Sequence, residues 1–279
     1  MRYVLAMMRT LSLFALGASL LLSGATAARA AHPFVTDDAE TQGEERWQLE
    51  LIVEHAKVSA RADLGTGAVR RESYESAFVP VLTYGLLDNL DIALGAAYLR
   101  ARSSAEGALV DEASGAGDSS LELKWRFYET ESVSFALKPG ISLPTGDEDK
   151  GLGSGRISFG STLIAVYESD PWDLLANLAY QRVRFALPAD RDANRANVWR
   201  VSAGFEYEFV EEFRLVGEAG VRSNPAKDDP FDPAATIRFA MLGFIYSPSE
   251  ELDLDVGVRR RLDGAASGTV LLAGATFRW

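Results

Sequence analysis

Alternation with a period of two runs through most of this sequence, and it leaves few folds open. In Leu90–Arg102, Leu90, Ile92, Leu94, Ala96 and Tyr98 share one phase, against Asp91, Ala93, Gly95 and Ala97. In Ala196–Phe209, Trp199, Val201, Ala203, Phe205, Tyr207 and Phe209 face one way, and Arg200, Ser202, Gly204, Glu206 and Glu208 the other. The final residues, Leu271–Trp279, put Leu271, Ala273, Ala275, Phe277 and Trp279 in one phase. Such a period marks a strand with one apolar and one wet face. The same pattern recurs in Arg46–Val58, Glu72–Tyr84, Asp118–Glu129, Ser132–Leu143, Arg156–Glu168 and Trp172–Phe185. It recurs again in Phe213–Ser223, Ala234–Tyr246 and Glu251–Arg261, which makes twelve strands with the last.

The connections separate two architectures. Stretches of about three to five residues follow every second strand, and most of the others are about ten to fifteen, the rhythm of a transmembrane barrel with short turns at one end. Aromatic residues gather near strand ends (Trp47, Tyr84, Trp172, Tyr246, Trp279), where an interfacial girdle belongs. A soluble β-sandwich also alternates. It does not account for the strand lengths, the loop rhythm and the terminal aromatic together.

The N-terminus bears on the same choice. Arg2 and Arg9 precede an apolar run, Leu11–Leu22, and Ala28-Arg29-Ala30 offers small residues for cleavage. This is the pattern of a secretory signal peptide over residues 1–30. The net charge is −12. Loss of the three arginines of that segment takes it to −15, so nucleic acid is not an expected partner. There is no cysteine, hence no disulfide or thiolate chemistry. Residues 31–45 are polar and rich in turn formers and read as a periplasmic lead-in or a plug; residues 46–279 read as the barrel.

Catalytic signals are thin. The two histidines are His32 and His55. His55 falls on the apolar phase, and a lipase-like site on the outer wall would need a serine and an acid or amide beside it. No Gly-x-Ser-x-Gly elbow exists. The loop acids Asp147, Glu148, Asp149 and Asp228, Asp229, Asp232 lack calcium-loop spacing. The glycines of residues 146–155 lack the Lys-Ser/Thr ending of a phosphate loop. The expectation is no enzyme, no metal and no cofactor. The wet phase is the informative one. Glu50, Glu122, Lys124, Arg126, Lys138, Arg200, Glu206, Arg214, Glu218, Arg238, Asp253, Asp255 and Arg259 are expected to point into the lumen. There they either pair across strands or select solutes.

Two segments carry a family likeness. His32-Pro33-Phe34-Val35-Thr36-Asp37-Asp38 precedes Trp47-Gln48-Leu49-Glu50. Leu143-Pro144-Thr145-Gly146-Asp147 precedes Gly151-Leu152-Gly153-Ser154-Gly155. With the Trp279 terminus they resemble the MetA-pathway of phenol degradation family of outer-membrane transporters. The resemblance implies a channel-like barrel with largely undefined substrates, and no catalytic residues. The reading is therefore an all-β, up-and-down antiparallel barrel of about twelve strands in the outer membrane of a Gram-negative bacterium. It would pass small molecules, hydrophobic or aromatic ones among them. The alternative is a closed structural or adhesive barrel acting through loops or lipid contacts. Expected partners are outer-membrane lipid, lipopolysaccharide and the barrel-assembly machinery, the last through Phe277 and Trp279.

Overall fold

The computed structural model describes residues 33–63, 65, 67–264 and 266–279. The expected signal segment, together with His32, lies outside the described residues. The strands are β1 (Trp47–Asp63), β2 (Ala68–Leu87), β3 (Leu90–Gly95), β4 (Tyr98–Ala105), β5 (Ala108–Ala116), β6 (Ser119–Glu129) and β7 (Val133–Leu143). After them come β8 (Ser158–Ser169), β9 (Trp172–Arg182), β10 (Asn197–Val210), β11 (Phe213–Ser223), β12 (Thr236–Ser249), β13 (Leu252–Arg261) and β14 (Ala266–Arg278). One helix, α1 (Pro188–Ala193), sits between β9 and β10. Among the described residues no helix is long and apolar enough to cross a membrane.

All strand pairs are antiparallel, and β1 pairs with both β2 and β14, so the sheet closes on itself. Closure gives every strand but β5 a partner on both sides, as a wall in lipid requires; β5 pairs with β4 alone. Main-chain bonds between Trp47 and Trp279 join the two ends of the wall, at 2.9 and 3.1 Å. Two of the fourteen strands are continuations. Both β3 and β4 pair with β2, interrupted at Ala96–Ala97, while β6 pairs with β3 and β5 with β4, interrupted at Gly117–Asp118. The barrel thus has twelve strands, two of them broken.

The interruption at Asp118 explains the Leu-Pro-Thr-Gly-Asp and Gly-Leu-Gly-Ser-Gly segments. The Asp118 carboxylate accepts from Gly146 N (3.0 Å) and from Ser154 N and Oγ (both 2.8 Å). Thr145 Oγ1 donates to Gly117 O at 3.0 Å. Gly146 and Gly153 lie back to back: a Cβ on Gly146 would fall 2.4 Å from Leu152 O, and one on Gly153 2.5 Å from Asp118 Oδ1. The loop is a clasp over the strand break.

The outer face is apolar and exposed, with Val53, Phe78, Leu163, Leu178, Phe244 and Val256 among its residues. At the short-turn end it carries a row of rings: Trp47 on Tyr84 (4.6 Å between centroids), Trp172 on Tyr207 (4.4 Å) and Phe213 on Tyr246 (4.6 Å). Amphipathic rings at that height suit a membrane–water boundary.

Three expectations need correction. Residues 59–71 and 103–117 are not loops: β1 and β2 run on to Asp63 and Ala68, and β4 and β5 form a hairpin. Beyond the apolar belt the pattern inverts: Arg61, Asp63, Arg100 and Arg102 are exposed on the outward phase, while Ala60, Ala62, Leu99 and Ala101 are buried on the inward one, so the ladder continues without an apolar outer face. The third concerns β12. Ile237, Phe239, Met241 and Ile245 face inward and are buried, whereas Arg238 is exposed on the outward phase with Leu242, Phe244 and Tyr246.

Candidate functional site

Apart from Arg238, the charged residues expected in the lumen lie on the inward phase of their strands, and most are buried. They do not leave an open tube. Residues 33–42 run through the lumen before the chain enters β1, and 33–39 are buried there. Charged and polar groups from several strands hold this segment. Glu218 of β11 accepts from Val35 N (3.0 Å), Thr36 N (2.9 Å) and Thr36 Oγ1 (2.7 Å). Asn177 of β9 brackets Asp37, accepting from its N–H at 2.6 Å and donating to its carbonyl at 2.8 Å. The Asp37 carboxylate meets Lys138 (2.6 Å) and Lys124 (3.0 Å), and Lys124 also reaches Asp38 at 3.4 Å. Lys138 stands 3.5 Å from Glu122. Buried ions of both signs are tolerable only when paired this closely.

Apolar contacts complete the seat. Phe34 packs with Val216, Met241, Ile245 and Leu272, and Ala39 with Ala136, Ile164, Val166 and Leu175. Pro33 lies against Gly257, where a Cβ would fall 3.0 Å from the proline ring. The inward Met241 and Ile245 of β12 are thus apolar because they receive a phenyl ring. At the rim Thr41 Oγ1 donates to Asp88 O (2.7 Å) and Gln42 N to Asp91 (3.1 Å).

Cavities lie on both sides of the segment. On the long-loop side Val35 borders a cavity of about 160 Å³. Its wall mixes Val58, Ile237, Phe239 and Val270 with five arginines and four carboxylates. Arg259 pairs with Glu54 (3.3 Å), Arg71 with Asp229 (2.6 Å) and Arg261 with Asp232 (2.5 Å); Arg200 and Arg222 also line it. On the short-turn side Glu40, Thr41 and Gln42 border a vestibule of about 930 Å³. That vestibule carries eleven carboxylates, Glu206 and Asp253 among them, against two arginines. Arg214 bridges Glu206 (2.9 Å) and Asp253 (3.3 Å), and Arg278 reaches Asp253 at 2.7 Å. Arg126 lies at the same rim, 3.0 Å from Glu129. Glu50 and Asp255 are buried inward on β1 and β13.

Other candidates fare differently. His55 Nδ1 lies 2.9 Å from Ser76 Oγ on the outer wall, a pair that sequence spacing had hidden because register brings β1 and β2 together. Among the described residues no carboxylate or amide is hydrogen-bonded to this histidine. Asp147 caps a short turn, and its bond with Lys150 (2.8 Å) holds its carboxyl below the usual range. Among the described residues no cluster of metal-ligating side chains forms.

The sequence profile of the MetA-pathway of phenol degradation family matches residues 17–279. The chain belongs to this family. Its fold is similar to that of the COG4313 outer membrane channel from Pseudomonas putida F1, with a TM-score of 0.65, 15% identity, and 87% of this chain and 98% of that one covered. The TodX monoaromatic hydrocarbon channel, as a deletion mutant, aligns with a TM-score of 0.50, 12% identity, and coverage of 90% and 94%. The translocator domain of the autotransporter NalP from Neisseria meningitidis reaches 0.50 as well, with 13% identity and coverage of 86% and 91%. Likeness at this level establishes the barrel and not its cargo. A search of curated proteins finds no match to the sequence. As a member of this family the chain keeps, in residues 33–38 and 143–155, the segments that carried the resemblance, and both are now accounted for: one lies in the lumen, the other clasps the wall.

Proposed function

We propose that the protein is an outer-membrane channel for passive passage of small molecules, hydrophobic or aromatic ones among them, and that residues 33–42 close it at rest. The observation that carries this reading is the seat of that segment between two chambers. A purely structural barrel needs no cavity on either side of a lumen segment. The long-loop chamber is half apolar and of the size that accepts one aromatic ring, since a dry cavity of about 150 Å³ binds benzene. The family and the two channel-like relatives support the same direction. The orientation follows from the turns: short turns and both strand ends, Trp47 and Trp279, face the periplasm, and the long connections face outward. The protein is not an enzyme in this reading, because the His55–Ser76 pair lacks a third member and faces lipid.

The test uses refolded mature protein and a variant lacking residues 33–42, in planar bilayers and in liposomes loaded with a phenol-sensitive dye. Brief, rare openings in the intact protein, long openings in the variant, and phenol entry that exceeds glucose entry are expected. Silence from both proteins, with heat-modifiable barrel folding preserved, would sink the channel and favour the closed structural barrel, which an occupied lumen also fits.

A further inference from the structure

The outer wall is not the same at its two ends. At the short-turn end the outward row is aromatic. Ten residues farther along β1 stands Lys57, ~25 Å up the membrane normal at ~3.3 Å per residue and a tilt of about 40°, which is the height of a barrel's apolar band. Cross-strand register places Lys57 on one rung with Tyr74 of β2 and Arg102 of β4 on one side, and with Thr269 of β14 and Arg260 of β13 on the other. All three cations are exposed. The rung below carries Arg100, Ser76 and His55, and the next one down is Tyr98, Phe78, Val53, Ala273 and Val256, fully apolar. Arg61 and Arg70 face each other above. On the opposite wall the same end carries Tyr180 and Trp199 instead, directly paired across β9 and β10.

From this geometry we infer a binding site for a phosphorylated glycolipid of the outer leaflet, the lipid A portion of lipopolysaccharide, on the arc from β4 to β13. Six outward cations (Lys57, Arg61, Arg70, Arg100, Arg102 and Arg260) stand against four carboxylates, Asp63, Glu72, Glu106 and Glu112, in a protein whose net charge is −12. Glu112 is bonded to Arg100 at 2.8 Å and Glu72 to Arg70 at 2.7 Å. Lys57, Arg102 and Arg260 enter no ion pair among the described residues; Lys57 lies 5.2 Å from the centre of the Tyr74 ring. Strands about 4.8 Å apart spread these three charges over ~19 Å, from β4 to β13. Acyl chains lie against the apolar rungs below, and guanidinium and ammonium groups meet phosphates at the edge of the hydrocarbon. Hydroxyls of Ser59, Thr269 and Ser267 on the same face can bond the sugar. A row of cations in place of a ring girdle suits the leaflet whose lipid carries phosphate without a choline or ethanolamine cation to offset it.

The inference rests on the outer-membrane orientation proposed above, and its test separates the two. Refolded mature protein in detergent is titrated by native mass spectrometry with bisphosphorylated lipid A, its phosphate-free counterpart, and phosphatidylglycerol. At least tenfold preference for the bisphosphorylated lipid is expected, unchanged by EDTA, and the Lys57→Gln/Arg102→Gln/Arg260→Gln variant should lose it tenfold or more. Equal binding of the phosphate-free lipid overturns the site, even if the variant does not fold. Equal binding of phosphatidylglycerol reduces it to a general phosphate contact and overturns the glycolipid assignment. A folded variant that binds undiminished places the lipid elsewhere. Failure of these arms with conductance intact leaves the channel reading standing, whereas silent bilayers with lipid binding intact sink only the channel.

Discussion

Two chambers at opposite ends of the lumen are built from the same alternating strands, yet they differ in kind. The long-loop chamber pairs its charges almost one for one, three arginines each with its own carboxylate, and fills the space between them with Val58, Phe239 and Val270. The vestibule carries eleven carboxylates against two arginines and is almost six times larger in volume. A small, balanced, half-apolar space favours an uncharged solute by leaving little field to follow. A wide acidic mouth repels anions and gathers cations from the solution it faces. The difference holds only while residues 33–42 lie between the two, so the seat of that segment is where the comparison is most easily broken.

Asp37→Ala should have the largest effect. It removes the carboxylate shared by Lys124 and Lys138 and leaves two buried ammonium groups short of a partner. Breaking such a pair costs about 3–5 kcal/mol. The segment should leave its seat and the chambers should merge, raising the time spent open by two orders of magnitude or more in single-channel records. An unchanged record would mean that the segment does not close the lumen. Gly257→Val acts on the same seat by shape alone, since its side chain must displace Pro33, 3.0 Å from a Cβ there. Open time should rise roughly tenfold on a relaxation worth about 1–3 kcal/mol, and heat-modifiable folding should be retained.

The vestibule can be changed without touching the seat. Glu208, Glu211 and Glu212 are exposed lining residues. Their replacement by glutamine in the residue 33–42 deletion variant should lower the cation-to-anion permeability ratio a few-fold, read from the reversal potential in a salt gradient. The shift should fade at 1 M salt, where the screening length is about 3 Å. A ratio that does not move would show that ions bypass the acidic mouth.

The barrel itself was legible because lipid on one side and a polar lumen on the other impose the same period on strand after strand. The exceptions share a physical origin. Where β1, β2, β4 and β5 rise beyond the lipid, the outward face turns charged and only small inward residues such as Ala60, Ala62 and Ala101 stay buried, so the lipid-facing signal vanished although the ladder continued. In β12 both phases are apolar, because Met241 and Ile245 pack on Phe34 while Leu242 and Phe244 face outward. Arg238 was then the one polar cue, and it sits above the belt, where an outward arginine meets water or headgroups. Glu218, Lys124 and Lys138 were visible as inward charges. Their joint role around Thr36 and Asp37 was not, because those contacts join residues more than 80 positions apart.

The finest adjustment of the comparison is Thr36→Val. The hydroxyl donates to Glu218 at 2.7 Å with Ser202 Oγ 2.8 Å away, but Glu218 keeps the N–H groups of Val35 and Thr36 when it is removed. Valine has the same branching, so the loss is confined to the hydroxyl's contacts with Glu218 and Ser202, a net cost of about 1 kcal/mol. Open time should rise about fivefold, since 1.4 kcal/mol corresponds to a factor of ten in an equilibrium between seated and released segment. Conductance per opening and reversal potential should stay at their original values, because neither chamber's lining has changed. A change in selectivity instead would mean that Thr36 lies in the path of the ions rather than in the segment that blocks them.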